Sequence, residues 1–213
     1  MSKENSRVLE IIERLKRAYP HARCGLNHRS PFELLIATIL SAQCTDKRVN
    51  IITEKLFSKY RTPADFARLT PEQLAEEIKG CGLHHNKSRA IVETCRILMN
   101  NHRGEVPQQR KALEALPGVG RKTAGVVLGV GFGQAALPVD THVHRVAHRL
   151  GLASGKNPET TERELMSCIP KDLWQPAHHL FIAHGRETCS ARRPKCNHCP
   201  VMALCPQGPG GER

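Results

Sequence analysis

Aromatic side chains are scarce in this 213-residue chain, at 4% of the whole, with one tryptophan and two tyrosines. Its core must therefore be built mainly from aliphatic residues. No apolar run approaches the roughly 20 residues needed to cross a bilayer. The opening Met1-Ser2-Lys3-Glu4-Asn5 lacks the apolar stretch of a signal peptide. A secreted or membrane-spanning protein is not expected; a cytoplasmic one is. Strict alternation of apolar and polar residues never persists, and no hairpin signal appears. Aspartate is also rare, occurring only as Asp46, Asp65, Asp140 and Asp172.

What is present is helical patterning, positive charge and cysteine. Hydrophobic residues make up 39% and charged residues 24%, enough for a folded core. The length corresponds to roughly 1.4 typical domains. Val8, Ile11, Ile12 and Leu15 lie on one face of a first helix. Ser30-Pro31-Phe32-Glu33 and Thr70-Pro71-Glu72-Gln73 read as caps, each with proline in the first turn and a capping-box side chain. Further helices are expected from Thr45-Asp46 through Leu56, over 90–99, 112–116, 122–129 and 141–150, and at about 158–168 and 171–187. Gly80, Gly104 and Gly151 serve as stops. The Gly- and Ala-rich stretch 129–138 reads as a loop crossing between lobes, and the chain after Cys205 as a frayed tail. The fold class is all-α.

Lys and Arg total 32 against 20 Asp and Glu, a net +12 that favours a polyanionic partner, nucleic acid first. Nine cysteines without a signal peptide argue against a disulfide framework. Cys24, Cys44, Cys81, Cys95 and Cys168 are scattered and read as small packed hydrophobes. Cys189, Cys196, Cys199 and Cys205 crowd into seventeen residues as C-x6-C-x2-C-x5-C. Four thiolates so placed suit zinc or an iron–sulfur cube, and the spacing alone leaves both open. Between the first two lie Arg192, Arg193 and Lys195, a basic loop pinned at both ends.

Leu116-Pro117-Gly118-Val119-Gly120-Arg121-Lys122-Thr123-Ala124 joins two short helices. Gly118 and Gly120 permit unusual backbone angles and close approach, and the turn feeds a helix N-terminus that favours an anion. The plain reading is an αα turn; the full string resembles a helix-hairpin-helix DNA-binding motif. Lys122 sits in the first turn of the following helix. There the dipole disfavours a charged ammonium, and partial burial would act in the same sense, as an amine nucleophile requires. On its own it reads first as a surface lysine against phosphate. Asp140, in Pro138-Val139-Asp140-Thr141-His142, reads by default as a helix N-cap whose ionised carboxylate can also stabilise a cation or take a proton.

The hairpin with Lys122, followed eighteen residues later by Pro-Val-Asp-Thr-His, resembles the DNA glycosylase superfamily named for its hairpin and its Gly/Pro-Asp loop. The nearest branch is the iron–sulfur-bearing endonuclease III family of bacteria. The likeness also takes in Ser30 to Ile36, Leu40-Ser41-Ala42-Gln43, Gly104-Glu105-Val106-Pro107 and the four C-terminal cysteines. It implies a two-lobed fold: a six-helix barrel over 24–134 with the hairpin at about 112–129, and a cluster domain of 1–23 with 135–213. It implies a 4Fe–4S cluster on Cys189, Cys196, Cys199 and Cys205, and double-stranded DNA with damaged pyrimidines or abasic sites as partner of a nucleoid-associated monomer. Lys122 and Asp140 become the catalytic residues of a bifunctional glycosylase and lyase. Gln43, Leu83, Gly118, Gly120, Arg121, Arg192, Arg193 and Lys195 become DNA contacts, Gln43 filling the gap and Leu83 wedging the stack. Without the resemblance, Gln43 is a helix-end polar residue and Leu83 ordinary loop packing. The loop Gly80-Cys81-Gly82-Leu83-His84-His85-Asn86-Lys87-Ser88 departs from relatives, which often carry an aliphatic residue at 81, tyrosine at 84 and alanine at 88. Competing readings are an adenine glycosylase of the same superfamily, which the lysine disfavours, a non-catalytic DNA-binding module, and an electron-transfer protein.

Overall fold

The computed structural model describes residues 3–208, with side chains from Ser6 onward. The expected frayed tail lies in part outside the described residues. Among those described, the chain is helical, and its only β feature is an isolated bridge between Lys79 and Cys81. None of its helices is long and apolar enough to cross a membrane. The chain divides into two compact units: one is Cys24–Gln134, and the other joins the segment through Arg23 to the segment from Ala135.

The contiguous unit is organised on α2 (Pro31–Ser41), in which every residue from Phe32 to Leu40 is buried. Ser30 caps it, accepting from the Glu33 N–H at 3.2 Å, and Pro31 supplies its first turn. The carboxylate of Glu33 does not return to Ser30 as a capping box would; it takes the N–H of Arg29 at 2.7 Å. Thr45 caps α3 (Asp46–Lys59). Two capping boxes follow, Thr62 with Asp65 on α4 (Pro63–Ala67) and Thr70 with Gln73 on α5 (Pro71–Glu77). Sequence reading misses α4, a single turn that carries Phe66 into the core, its ring 5.5 Å from that of Phe32.

The helix α6 (His84–Asn101) begins six residues before the expected Ala90. Its N-cap is Leu83, in left-handed conformation and with no side-chain cap bond, so the sequence carries no start signal. It ends as Arg103 and Gly104 turn to positive φ and the Gly104 N–H reaches Leu98 O at 2.9 Å. It packs on α4 and α5, while α2 lies against α3, α6 and α8 (Arg121–Val126). After α7 (Arg110–Glu114) and α8, a π-helical turn, Val127–Gly131, continues the helix into the stretch expected to be loop.

The second unit packs α1 (Lys3–Ala18) on α11 (Trp174–Glu187), and α9 (Thr141–Arg149) on both α10 (Pro158–Cys168) and α11. Val8, Ile11, Ile12 and Leu15 meet Val143, Val146, Leu165 and Phe181 in one core, and Cys189, Cys199 and Cys205 border it. Each buried aliphatic contributes about 1.5–3 kcal/mol. Arg7 on α1 donates through Nε and Nη2 to Leu204 O, at 3.2 and 2.9 Å, and through Nη2 to Leu150 O. Tyr19 Oη lies 2.7 Å from Thr188 Oγ1 and 2.9 Å from His184 Nδ1. The segment before α2 is thus fastened to the chain around the four cysteines. Arg7→Met keeps the stem and removes these charged donors. It is expected to lower unfolding free energy in urea by about 2 kcal/mol; an unchanged midpoint would show that the ties carry no stability.

Candidate functional site

In the contiguous unit the hairpin is built from within. Leu113, Leu116 and Val119 are buried, and the Thr94 hydroxyl on α6 donates to Pro117 O at 2.9 Å. Gly118 has φ +76, and a Cβ there would stand 3.1 Å from Ala90 Cβ and 3.3 Å from Ile39 Cγ2. Conformation and packing both demand glycine. Gly120 differs: its φ of −89 and ψ of 178 suit any residue, and a Cβ would meet nothing within 4 Å. The fold itself does not require a glycine at 120. No side chain caps α8, whose first backbone bond runs from the Ala124 N–H to Gly120 O at 2.9 Å. Arg121 and Lys122 open this helix and are exposed, Lys122 standing as the surface lysine that its position alone suggests. Lys122 and Asp46 both act on the Cys24 thiol, which burial pushes above its usual range; Asp46 reinforces that shift and Lys122 opposes it.

The loops bearing Gln43 and Leu83 are adjacent. Both residues adopt positive φ, +54 and +60, which costs a side-chain-bearing residue about 1–3 kcal/mol. Both are exposed, Leu83 to 53%. A Cβ on Gly82 would lie 3.6 Å from Gln43 O. Two cations tie the loops: Lys87 Nζ, 5% exposed as a residue, donates to Leu40 O at 2.7 Å, and Arg48 Nε donates to Gly80 O at 3.2 Å. Sequence reading passes over Lys87, although its place on the face continued by Ile91, Cys95 and Leu98 marks it as inward. The His84 and His85 rings sit 4.2 Å apart at the start of α6.

In the other unit Asp140 caps α9. One carboxylate oxygen accepts the N–H groups of His142 at 2.8 Å and Val143 at 2.9 Å. The buried His178 fixes the approach to this cap: its Nδ1 lies 2.7 Å from Pro138 O, and a carbonyl can only accept, so that nitrogen carries the proton. His142 and His144 are engaged with Arg145 and Thr161, at 3.2 and 2.8 Å. Burial holds both imidazoles below the usual histidine range.

Cys189, Cys196, Cys199 and Cys205 line one cavity of about 230 Å³, with Leu150 and Met202 among its walls. All four are half-buried. Among the described residues no three Cys, His, Asp or Glu side chains converge as on a single ion. A tetrahedral ion holding thiolates at about 2.3 Å would draw the sulfurs to within about 3.8 Å of one another. Burial raises the Cys199 thiol, and its sulfur stands 3.8 Å from His184 Nε2. The same burial depresses His184 to about 4. Arg149 braces the first inter-cysteine loop, donating to Ser190 O at 2.7 Å and Ala191 O at 2.8 Å, with Nη1 3.4 Å from Cys189 Sγ. Arg192, Arg193 and Lys195 point from this braced loop into solvent.

The chain matches the family model of the HhH-GPD superfamily base excision DNA repair proteins over residues 36–171. It is 50% identical over 197 residues to endonuclease III of Escherichia coli (strain K12), covering 92% of this chain and 93% of that protein. With endonuclease III of Bacillus subtilis (strain 168) it shares 44% over 198 residues, 92% of this chain and 90% of the relative. A trapped endonuclease III–DNA covalent intermediate, in an estranged-adenine complex, superimposes with a TM-score of 0.91 at 45% identity, covering 98% of each chain. A thermostable thymine-DNA glycosylase gives 0.88 at 26% identity, over 97% of this chain and 98% of the other.

The two hairpin glycines separate experimentally. Gly118→Ala is expected to lose about 1–2 kcal/mol from its positive φ alone, and Gly120→Ala less than about 0.5 kcal/mol. Equal losses in urea melts would contradict the contrast between them.

Proposed function

The chain belongs to the HhH-GPD superfamily of base excision DNA repair proteins, and from that premise we infer that it is a DNA glycosylase and abasic-site lyase acting on oxidised pyrimidines in duplex DNA. The observation that carries this reading is Lys122, an exposed amine in the first turn of a helix opened by a glycine the fold does not need. It lies in a chain that aligns along 98% of its length with a relative trapped in covalent linkage to DNA.

Binding comes first. Gly120 leaves the hairpin surface bare, so a phosphate can approach backbone N–H groups at the start of α8. Arg121 and the loop cations Arg192, Arg193 and Lys195 add phosphate contacts, in keeping with the net +12. The damaged nucleotide must leave the stack before its sugar can be reached. Leu83, exposed and held in left-handed backbone, is suited to part a base step; Gln43, on the neighbouring loop, fills the space and pairs with the orphaned base.

Lys122 Nζ then attacks the anomeric carbon while the bond to the base breaks, the base leaving with the electron pair. Asp140 accepts the proton released from the lysine and offers its negative charge to the cationic sugar. Its cap bonds to His142 and Val143 keep that carboxylate oriented. The C1′–O4′ bond then opens, O4′ taking a proton as the lysine nitrogen forms C=N, and this imine acidifies the adjacent sugar proton. Loss of that proton expels the 3′ phosphate, and water releases the amine.

Cys189, Cys196, Cys199 and Cys205 would hold a 4Fe–4S cluster in the chamber they line, which when bound supplies a rigid crosslink and a redox-capable centre. Arg149 and Lys195 keep the basic loop at its edge: the Lys195 N–H donates to Thr188 O at 2.9 Å. We assign 24–134 as the six-helix barrel and the remainder as the cluster domain, in a protein acting as a monomer.

The test is borohydride trapping on a duplex with one thymine glycol. Wild type is expected to give a covalent adduct and Lys122→Gln none, with DNA affinity retained; nicking by Lys122→Gln would sink the assignment. Asp140→Asn should slow base release by about 10². Alanine at Arg192, Arg193 and Lys195 together should flatten the salt dependence of binding, the slope falling by about 0.9 for each phosphate no longer neutralised. An unaltered slope would remove that loop from the interface.

A further inference from the structure

The loop bearing Gln43 and the loop bearing Leu83 each carry a cysteine, and the two thiols meet. Cys44 follows Gln43 directly, and Cys81 stands two residues before Leu83. The Cys44 side chain is near enough to act directly on the Cys81 thiol. The backbones converge at the same place, through the approach of Gly82 to Gln43 O and the Arg48 bond to Gly80 O. Cys44 is half-buried and within reach of a small solute, whereas Cys81 is buried. The two thiols thus differ in access while sharing a contact, the arrangement of an attacking and a resolving cysteine.

We propose that Cys44 and Cys81 form a reversible disulfide on exposure to hydrogen peroxide, locking together the two loops that bear Gln43 and Leu83. In the first step the Cys44 sulfur attacks peroxide: the O–O bond breaks, one water leaves and Cys44 becomes a sulfenic acid. In the second the Cys81 sulfur displaces that hydroxyl, the S–S bond forms and a second water leaves. Two thiols lose two electrons in all, and one peroxide is reduced to two waters. Burial shields Cys81 from peroxide and pushes its thiol up, with Cys44 reinforcing the shift, so Cys81 meets the sulfenic acid on its neighbour and not peroxide itself. Lys87, held near by its bond to Leu40 O, opposes that shift.

The functional consequence rests on the proposed insertion of Leu83 and Gln43 into the duplex. Loops joined covalently cannot adjust separately as a base step opens. Excision from duplex DNA should then run about tenfold slower in the oxidised form.

The experiment treats the cluster-loaded full chain with dilute peroxide, digests it with trypsin without reduction, and maps the joined peptides. The expected product couples Ser30–Lys47 to Gly80–Lys87, disappears with dithiothreitol, and is missing from both Cys44→Ser and Cys81→Ala. Cys44 recovered as sulfinic acid, or joined to any other cysteine with no 44–81 link, overturns the proposal. A second arm measures excision of thymine glycol. A slowing in oxidised wild type that dithiothreitol reverses and Cys44→Ser does not show supports the lock. An equal rate before and after oxidation of a linked protein removes it. If the reduced wild type excises nothing, the functional reading fails while the peptide map still decides the disulfide.

Discussion

A helix buried over nine consecutive residues hides most of its surface from water, so backbone groups left over in its first and last turns call for protein partners. In α2 this constraint organises the contiguous unit. At the N-terminus Ser30 takes a first-turn N–H, and Glu33 turns back to Arg29. At the C-terminus a buried lysine from α6 takes the carbonyl of Leu40. With the Arg48 bond to Gly80 O, this bond holds the start of α6 against the end of α2 and the Leu83 loop beside the Gln43 loop. The positive φ at both residues is held there by its surroundings, because nothing in a glutamine or a leucine favours it. Bonds that satisfy backbone carbonyls thus hold together two loops that each carry an exposed side chain.

The other unit solves a different problem. Four half-buried thiols around a chamber are stable only if the loops carrying them are held from outside. Arg149, Arg145 and Arg7 do this with charged donors aimed at backbone carbonyls, Arg145 reaching Cys189 O at 3.1 Å. Positive charge beside the thiols suits a group whose ligands are anionic. The same bracing leaves Arg192, Arg193 and Lys195 on a loop with little freedom to lose on binding. The bonds that brace the loop between Cys189 and Cys196 thus also fix the backbone that carries its three exposed cations.

What was legible in the sequence followed from local chemistry. The capping box at Thr70 and Gln73, the cap at Asp140 and the stop at Gly104 each depend on residues within a few positions, and they appear as expected. The Thr62-Pro63-Ala64-Asp65 box has the same signature but opens only one turn, too short to show a period. The start of α6 was hidden because its cap is a left-handed leucine, a conformation imposed by tertiary contact. Gly118 and Gly120 look alike in sequence; only the neighbours Ala90 and Ile39 distinguish the glycine that the interior requires from the one it does not. The scattered cysteines, read alike as packing, divide into buried Cys81 and Cys95 and half-buried Cys24, Cys44 and Cys168.

The bond from Arg7 to Leu204 spans 197 positions of sequence, and this bears on how the chain comes off the ribosome. The unit Cys24–Gln134 is contiguous, so all its partners exist once that stretch has emerged. The amphipathic α1 is made well before its partners on α9, α11 and the cysteine loop. At about 5–20 residues per second, α1 waits roughly 10–40 s with Val8, Ile11, Ile12 and Leu15 uncovered. Its other face carries Glu10, Glu13, Arg14, Lys16 and Arg17. On the nascent chain that dense charge keeps an orphan helix in solution until its partners are made.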